Sequence, residues 1–354
     1  MDRPKPTKPN QLKSRGVGHK RVTTSDIARV LGINQSTVSR ALSNGSVSPE
    51  KRELILRTAK EMGYRPNSIA RGLITGRSRM IGLVTTDIKN PFYPEVIERF
   101  TNVLRELGFH VLFVNSAGDD IDHDDIAPLV EYEVEGVIAV SARLSSSLVT
   151  RIQDYGIPIV LFNRYIRDAP CSAVSCDNVR GGQIVAELFI RTAHTKLAFV
   201  SGTVNTSTSI DRERGFRSAL ADAGCPGPVV VCGNYTYEGG YNAALQLFDM
   251  DERPDGVFCA NDIMALGVLD AARSLGIKVP EEVSVVGFDD ISLASWKAYS
   301  LTTVRQPVTA MIERTVDKLL NEIDGASTES RIDFIPGELV VRSTVADKRK
   351  MCSS

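Results

Sequence analysis

The sequence predicts a multi-domain chain of 354 residues, with a small all-α unit first and an α/β region of two doubly wound subdomains after it. Three observations carry that expectation. Charge is divided unevenly, since residues 1–79 hold 17 Lys and Arg against 5 Asp and Glu, and the remainder 25 against 38. Short capped helical patterns fill residues 21–65. From Met80 onward, near-continuous apolar runs alternate with amphipathic stretches. A basic end beside an acidic remainder is the distribution expected where one end meets a polyanion.

Residues 1–20 carry Lys, Pro and Gly with no apolar stretch behind them. They read as a disordered basic tail and not as a secretory signal. In "VTTSDIARVLGINQSTVSRAL", Thr23 followed by Asp26 predicts a capping box, and Ile27, Val30 and Leu31 give one apolar face. Gly32 ends that helix. Asn34 is placed to cap a second helix, with Ile33 stapled onto Val38. Val38, Ala41 and Leu42 are expected to face inward, leaving Gln35, Ser36, Ser39 and Arg40 outward. Two short helices joined by a tight turn, the second with a polar and non-acidic outer face, form a helix-turn-helix. A third helix follows, with Ser48 as cap, Pro49 at its first position, an apolar stripe of Leu54, Ile55, Ala59 and Met62, and Gly63 as its stop.

Residues 66–79 read as a hinge. Asn67 can cap "SIARGL", which is under two turns and therefore too short to be stable alone in water. Gly72 weakens it by about 1 kcal/mol relative to Ala. Such a segment folds when it docks. Arg71 can then meet phosphate, and Leu73 fits the apolar wedge that minor-groove binders push between base steps.

The runs "MIGLVTT", "HVLFVNS", "GVIAV", "IPIVLF", "KLAFVSG", "PVVVCG", "GVFCA" and "VSVVGFDD" predict strands buried on both faces, hence parallel sheets covered by helices. Eight βα units exceed one sheet, so two subdomains are expected. Ligands of such sheets bind beyond the carboxyl ends of the strands. Those ends carry Asn90 to Tyr93, Asn163 and Arg164, the loop "TVNTSTSIDRERGF", Asn261 with Asp262, and Asp289 with Asp290. Aromatics, carboxylates, an arginine and amides together suit a small hydroxylated molecule.

The segment from Val22 to Leu73 resembles the DNA-binding headpiece and hinge helix of the lactose/purine repressor family, and the resemblance continues through most of the chain. It implies a headpiece over 21–65, a hinge over 66–79, and a periplasmic-binding-protein-like effector domain over 80–345. The first lobe would hold about 80–177 and 306–334, the second about 178–305 and 335–345. Crossovers would fall near 176–178, 302–307 and about Ile335, and a short tail would occupy 346–354. By the same resemblance Gln35, Ser36 and Arg40 face bases in the major groove, with Arg40 suited to a bidentate guanine contact. Thr37, Ser39 and Asn44 would hold phosphates or register. Ala70 would lie against the minor-groove floor and Leu73 would be the inserted leucine of a palindromic operator complex.

For the effector, "DRERGF" matches the family's Arg-x-x-Gly-Phe and makes Arg212 the ligand-holding arginine. "CANDIMALG" makes Asp262 the hydroxyl acceptor, Tyr235 the stacked aromatic, and Phe92 and Tyr93 the first-lobe contacts. Asn163 stands where two well-known members have an aspartate, so an amide recognises the hydroxyl there. Arg164 beside it favours an anionic sugar. The implied partners are double-stranded operator DNA, a carbohydrate effector that either induces or co-represses, and a second copy of the chain. No heptad follows "VVRSTVADKRKMCSS", so a dimer is expected.

Against catalysis, the chain has no G-x-G-x-x-G, Walker loop, G-x-S-x-G or H-E-x-x-H. No cofactor and no metal is therefore expected, and its six cysteines read as reduced thiols of a cytoplasmic protein. A periplasmic sugar receptor is the alternative; it lacks a reason for the helix-turn-helix.

Overall fold

The computed structural model describes residues 22–43, 45–64, 77–116, 121, 123–140, 145–167, 169–326 and 331–351. Two compact units divide at Gly76 and Arg77. Asn44, Ala70, Arg71 and Leu73 lie outside the described residues.

The first unit contains helices α1 (Thr24–Leu31), α2 (Gln35–Leu42) and α3 (Pro49–Glu61). The capping box is complete, with Asp26 N donating to Thr23 Oγ1 at 3.3 Å and Thr23 N donating to Asp26 Oδ2 at 3.0 Å. Gly32 closes α1 at φ 64°, a left-handed turn open to glycine. Asn34 and Ser48 occupy their N-cap positions without a side-chain cap bond. Ile27, Ala28, Val38, Ala41, Ile55 and Ala59 form the core. Two expected core residues are outside it, Val30 at 63% exposure and Leu54 at 42%. Helical rotation explains both. Steps of 100° put Ile27, Leu31 and Ala28 on one arc and turn Val30 away, and Leu54 sits a full step from Ile55.

The second unit is two six-stranded sheets. The first runs β11-β5-β4-β3-β1-β2, from β1 (Met80–Thr85), β2 (His110–Asn115), β3 (Gly136–Val140), β4 (Ile159–Phe162), β5 (Ser172–Cys176) and β11 (Ile332–Ile335). The second runs β12-β10-β9-β8-β6-β7, from β6 (Leu197–Ser201), β7 (Val229–Cys232), β8 (Gly256–Cys259), β9 (Ser284–Asp289), β10 (Thr302–Arg305) and β12 (Glu338–Val340). All neighbours are parallel except β10 with β12. The strands β5, β10, β11 and β12 were not among the apolar runs, because they are short and mix Ser, Thr, Asp, Glu or Arg with apolar residues. Two of the expected strands are not buried on both faces, since β2 and β7 lie at sheet edges and none of their residues is fully buried.

Helices cover both faces: α4 (Phe92–Glu106), α5 (His123–Glu131), α6 (Ser146–Asp154) and α11 (Val308–Ile323) on the first sheet's lobe, α7 (Asn178–Arg191), α8 (Ser207–Asp222), α9 (Tyr237–Phe248) and α10 (Asp262–Ser274) on the second's. A final short helix, α12 (Lys348–Met351), follows β12. Phe100 and Phe162 meet edge to face in the first lobe, and Phe199, Phe216 and Phe258 cluster in the second. Each such buried ring contributes about 1.5–3 kcal/mol of transfer free energy. The chain passes between lobes at 176–178, at 305–308 and between Ile335 and Glu338; Ile335 pairs with Cys176 and so stays in the first sheet. Both sheets reverse strand order beside their first strand, which places the loops after β1, β3, β6 and β8 at the switch points where ligands bind. No helix among the described residues is long and apolar enough to cross a membrane.

Candidate functional site

Two surfaces are candidates, one on each unit. On α2, Gln35, Ser36 and Arg40 are exposed, while Thr37 and Ser39 are half-buried. Gln35 Nε2 donates to Thr24 Oγ1 at 3.1 Å, and Arg40 Nε donates to the Ser36 carbonyl at 3.3 Å. The second helix therefore presents a polar, non-acidic face held in position by the first.

The other site is the cleft between the two lobes. Strand ends supply its groups, as the doubly wound topology requires. Arg212, on the first turns of α8, is only 2% exposed. Its Nε donates to Asn178 Oδ1 at 2.8 Å, its Nη1 donates to the Ala260 carbonyl, and its guanidinium lies 3.6 Å over the Phe288 ring. Its Nη2 stands 3.5 Å from Asp289 Oδ1 without a hydrogen-bond partner among the described residues. Gln306 Nε2 donates to the same Asp289 oxygen at 2.7 Å, while Gln306 Oε1 is unpartnered. Burial pushes the Asp289 carboxyl up to about 6, with Arg212 and Gln306 restraining the rise.

From the first lobe, Asn163 Nδ2 donates to Tyr93 Oη at 3.1 Å, and Asn163 Oδ1 has no hydrogen-bond partner among the described residues. Phe92 meets Tyr93 edge to face at 5.2 Å. Arg164 reaches across to the Tyr235 ring of the second lobe, 5.6 Å from its centroid. Tyr235 shares a hydrogen bond of 2.8 Å with Thr208 Oγ1. Its ring lies on Gly202, where a Cβ would stand 2.1 Å from it, so only glycine fits beneath. A cavity of about 700 Å³ is lined by Arg164, Tyr235, Asp87, Lys89 and Asn90 among others. Another, of about 410 Å³, is lined by Phe92, Asp289, Gln306 and Val308 among others.

One expected site residue has a different place. Asp262 is fully buried, with Thr303 Oγ1 donating to its Oδ1 at 2.6 Å and Ile291 N donating to its Oδ2 at 2.9 Å. Both oxygens are taken by the protein, and Asp262 lines neither cavity; nor do Tyr93, Asn163 and Arg212, whereas Phe92 lines one and Arg164 and Tyr235 the other. Burial, with Asp289 nearby, raises its carboxyl well above the ordinary range. Asp262 therefore ties β10 to the loop after β9, while Asp289 and Asp290 line one cavity and Asp87 the other. The strand-end rule had placed Asp289 in view; only the motif match preferred Asp262. Gln306 and Asn178 carried no signal, since each is an ordinary polar residue until the crossovers bring it to the cleft, whereas Thr208 lies in the stretch after β6 that the strand-end rule had placed in view.

Comparison with known proteins gives a consistent result. The profile described as bacterial regulatory proteins, lacI family, matches residues 23–67, and a periplasmic binding protein-like domain matches 186–345. The HTH-type transcriptional regulator CelR of Thermobifida fusca is 33% identical over 338 residues, covering 92% of this chain and 98% of that protein. The HTH-type transcriptional repressor PurR of Vibrio atlanticus is 30% identical over 328 residues, covering 91% and 98%. The solved transcriptional regulator CelR–cellobiose complex superposes with a TM-score of 0.69 at 30% identity, over 92% of this chain and 100% of that one.

Proposed function

The chain belongs to the lacI family of bacterial regulatory proteins, and from that premise we propose how its two units divide the work. It is a helix-turn-helix transcriptional regulator in a family of DNA-binding regulators, not an enzyme. As a repressor, it binds a palindromic operator as a dimer. Gln35, Ser36 and Arg40 read base edges, and Thr37, Ser39 and Asn44 hold the backbone. The hinge places Ala70 in the minor groove, lets Arg71 meet phosphate and inserts Leu73.

The effector is a sugar or sugar derivative held between the lobes. The observation that carries this reading is the mixture of unpartnered buried groups: Asn163 Oδ1 and Gln306 Oε1 accept, and Arg212 Nη2 donates. Hydroxyls do both, and a ring bearing several of them satisfies all three. Tyr235 offers an aromatic face, and Phe92 and Tyr93 an apolar wall. A relative binds cellobiose, which fits the same class. Closure on the effector changes the spacing of the first lobes, and with it the folding of the hinges, by a coupling of about 1–3 kcal/mol.

One experiment tests both halves. Selection from randomised duplexes with the full chain is expected to recover a dyad-symmetric site. Binding to that site is then measured against a panel of sugars, sugar acids and sugar phosphates. Wild type is expected to respond to at least one, and Arg212→Ala to none while keeping its affinity for DNA. A response surviving in Arg212→Ala removes that residue from the effector site.

A further inference from the structure

Asn163, Arg164 and Tyr165 follow one another after β4, and the last of the three makes a contact that the cleft itself does not need. Tyr165 Oη donates to Asp211 Oδ2 at 2.6 Å, and Tyr165 N donates to Ser207 Oγ at 3.1 Å. Both partners belong to the first turns of α8, in the opposite lobe. The Tyr165 ring is anchored in its own lobe, edge to face with Phe334 of β11 at 5.5 Å. The tyrosine thus has its ring on one lobe and its hydroxyl on the other.

We propose that Tyr165 is a positioning residue that latches the two lobes together and sets where Arg212 stands. Asp211 and Arg212 are adjacent on α8, so their side chains leave the helix about 100° apart. One is held by Tyr165 across the gap, and the other points at Asp289. Fixing the first fixes the rotation and depth of the helix end that carries the second. Asp211 is 2% exposed; its Oδ2 accepts from Tyr165, and its Oδ1 lies 2.8 Å from Arg214 Nη2 as an ion pair without a hydrogen bond among the described residues, so the tyrosine supplies the side-chain hydrogen bond of a buried carboxylate. Opening would return Asp211 to water, and the hydrogen bond is what the closed state gains in exchange. Burial and the neighbouring Asp211 raise the phenol above its usual range, which keeps it a donor. The consequence for the effector rests on the cleft reading above; the latch itself does not.

The test therefore uses the full chain without ligand. Hydrogen exchange is followed in Tyr165→Phe, which keeps the ring on Phe334 and removes only the hydroxyl. The expected result is exchange faster by roughly tenfold or more, the factor that a hydrogen bond to a charged group is worth. It should appear at 207–211, and also at 87–93 and 234–237, cleft segments that Tyr165 does not touch but that lose cover when the lobes part. Asp211→Asn is expected to act in the same direction, and the double variant to add little to either. Unchanged exchange at 87–93 and 234–237, whether or not 207–211 loosens, overturns the proposal, because the bond would then be local. Additive effects of the two substitutions overturn it as well.

Discussion

Asp289 and Asp262 carry the same side chain under opposite conditions, and the difference decides their roles. Asp262 has two donors from its own fold, so its charge state serves structure. Asp289 keeps one oxygen between Arg212 and Gln306 at the edge of a cavity, where burial has moved its carboxyl to about 6. An effector held by the Arg212–Asp289 pair needs the ionised form. Below about pH 6 Asp289 takes up a proton, so affinity for the sugar found in the screen is expected to fall as pH falls, by up to about tenfold per unit. Calorimetry at pH 7.5 and pH 5 reads this. Asp289→Asn is expected to bind more weakly at pH 7.5 and to lose that slope; a slope that persists in the variant assigns the titration elsewhere. Sequence made both carboxylates visible at strand ends but gave no means of seeing which one the fold would use up.

At the scale of elements, α7 and α8 pack backbone against backbone in the second lobe. A Cβ at Gly215 would lie 2.0 Å from the Val179 carbonyl oxygen, and one at Gly182 would lie 2.2 Å from that of Arg212. The obstacles are backbone atoms, which cannot rotate away. Gly215→Ala is expected to destabilise the effector domain by about 1–3 kcal/mol, read as a lower urea midpoint. Because the same contact positions the helix that bears Arg212, effector affinity should fall too. An alanine variant with an unchanged midpoint would mean the helices can separate freely. The first unit's helices and the central strands β1, β3, β4, β6, β8 and β9 were legible from periodicity and apolar runs, whereas the interior strands β5 and β10, which carry Ser and Thr, were not. The edge strands β2 and β7 looked like their buried neighbours, because exposure there follows from position in the sheet and not from composition.

For the molecule as a whole, the end of the chain is tied back through one histidine. His194 is buried between Thr192 Oγ1 at 2.9 Å from Nδ1 and Ser284 Oγ at 2.8 Å from Nε2. Thr192 spends its proton on the Leu188 carbonyl, so Nδ1 must donate to it; Ser284 accepts from Ala346 N and donates to Nε2. Every member is satisfied only while the imidazole is neutral, and burial lowers its pKa to about 4. The unfolded chain takes a proton near pH 6.5 that the folded one refuses until about pH 4, so this residue removes stability as pH falls through that window. Thermal midpoints of wild type are therefore expected to drop relative to His194→Gln between pH 6.5 and pH 4. Parallel curves would show that the network tolerates the charge. The buried Asp262 and Asp289 shift the other way, and for that reason the comparison is made against the variant and not against pH 7 alone.

The sequence by itself determined the order of units, the helix-turn-helix with its capping box, the parallel strands and the family, because each is written in local spacing: caps at three residues, helical faces at three and four, strands as apolar runs. Tertiary structure decided which face of α1 is inward, that Asp262 is spent on Thr303 and Ile291, that Asp289 meets Arg212 and Gln306, and that Tyr165 spans the lobes. Those contacts join residues separated by 17 to 77 positions, such as Gln306 with Asp289 and Arg212 with Asp289. Packing within the second lobe brings most of them together and the passages between lobes bring Tyr165 to Asp211, and no local pattern encodes which polar group will find its partner inside and which will be left facing the cleft.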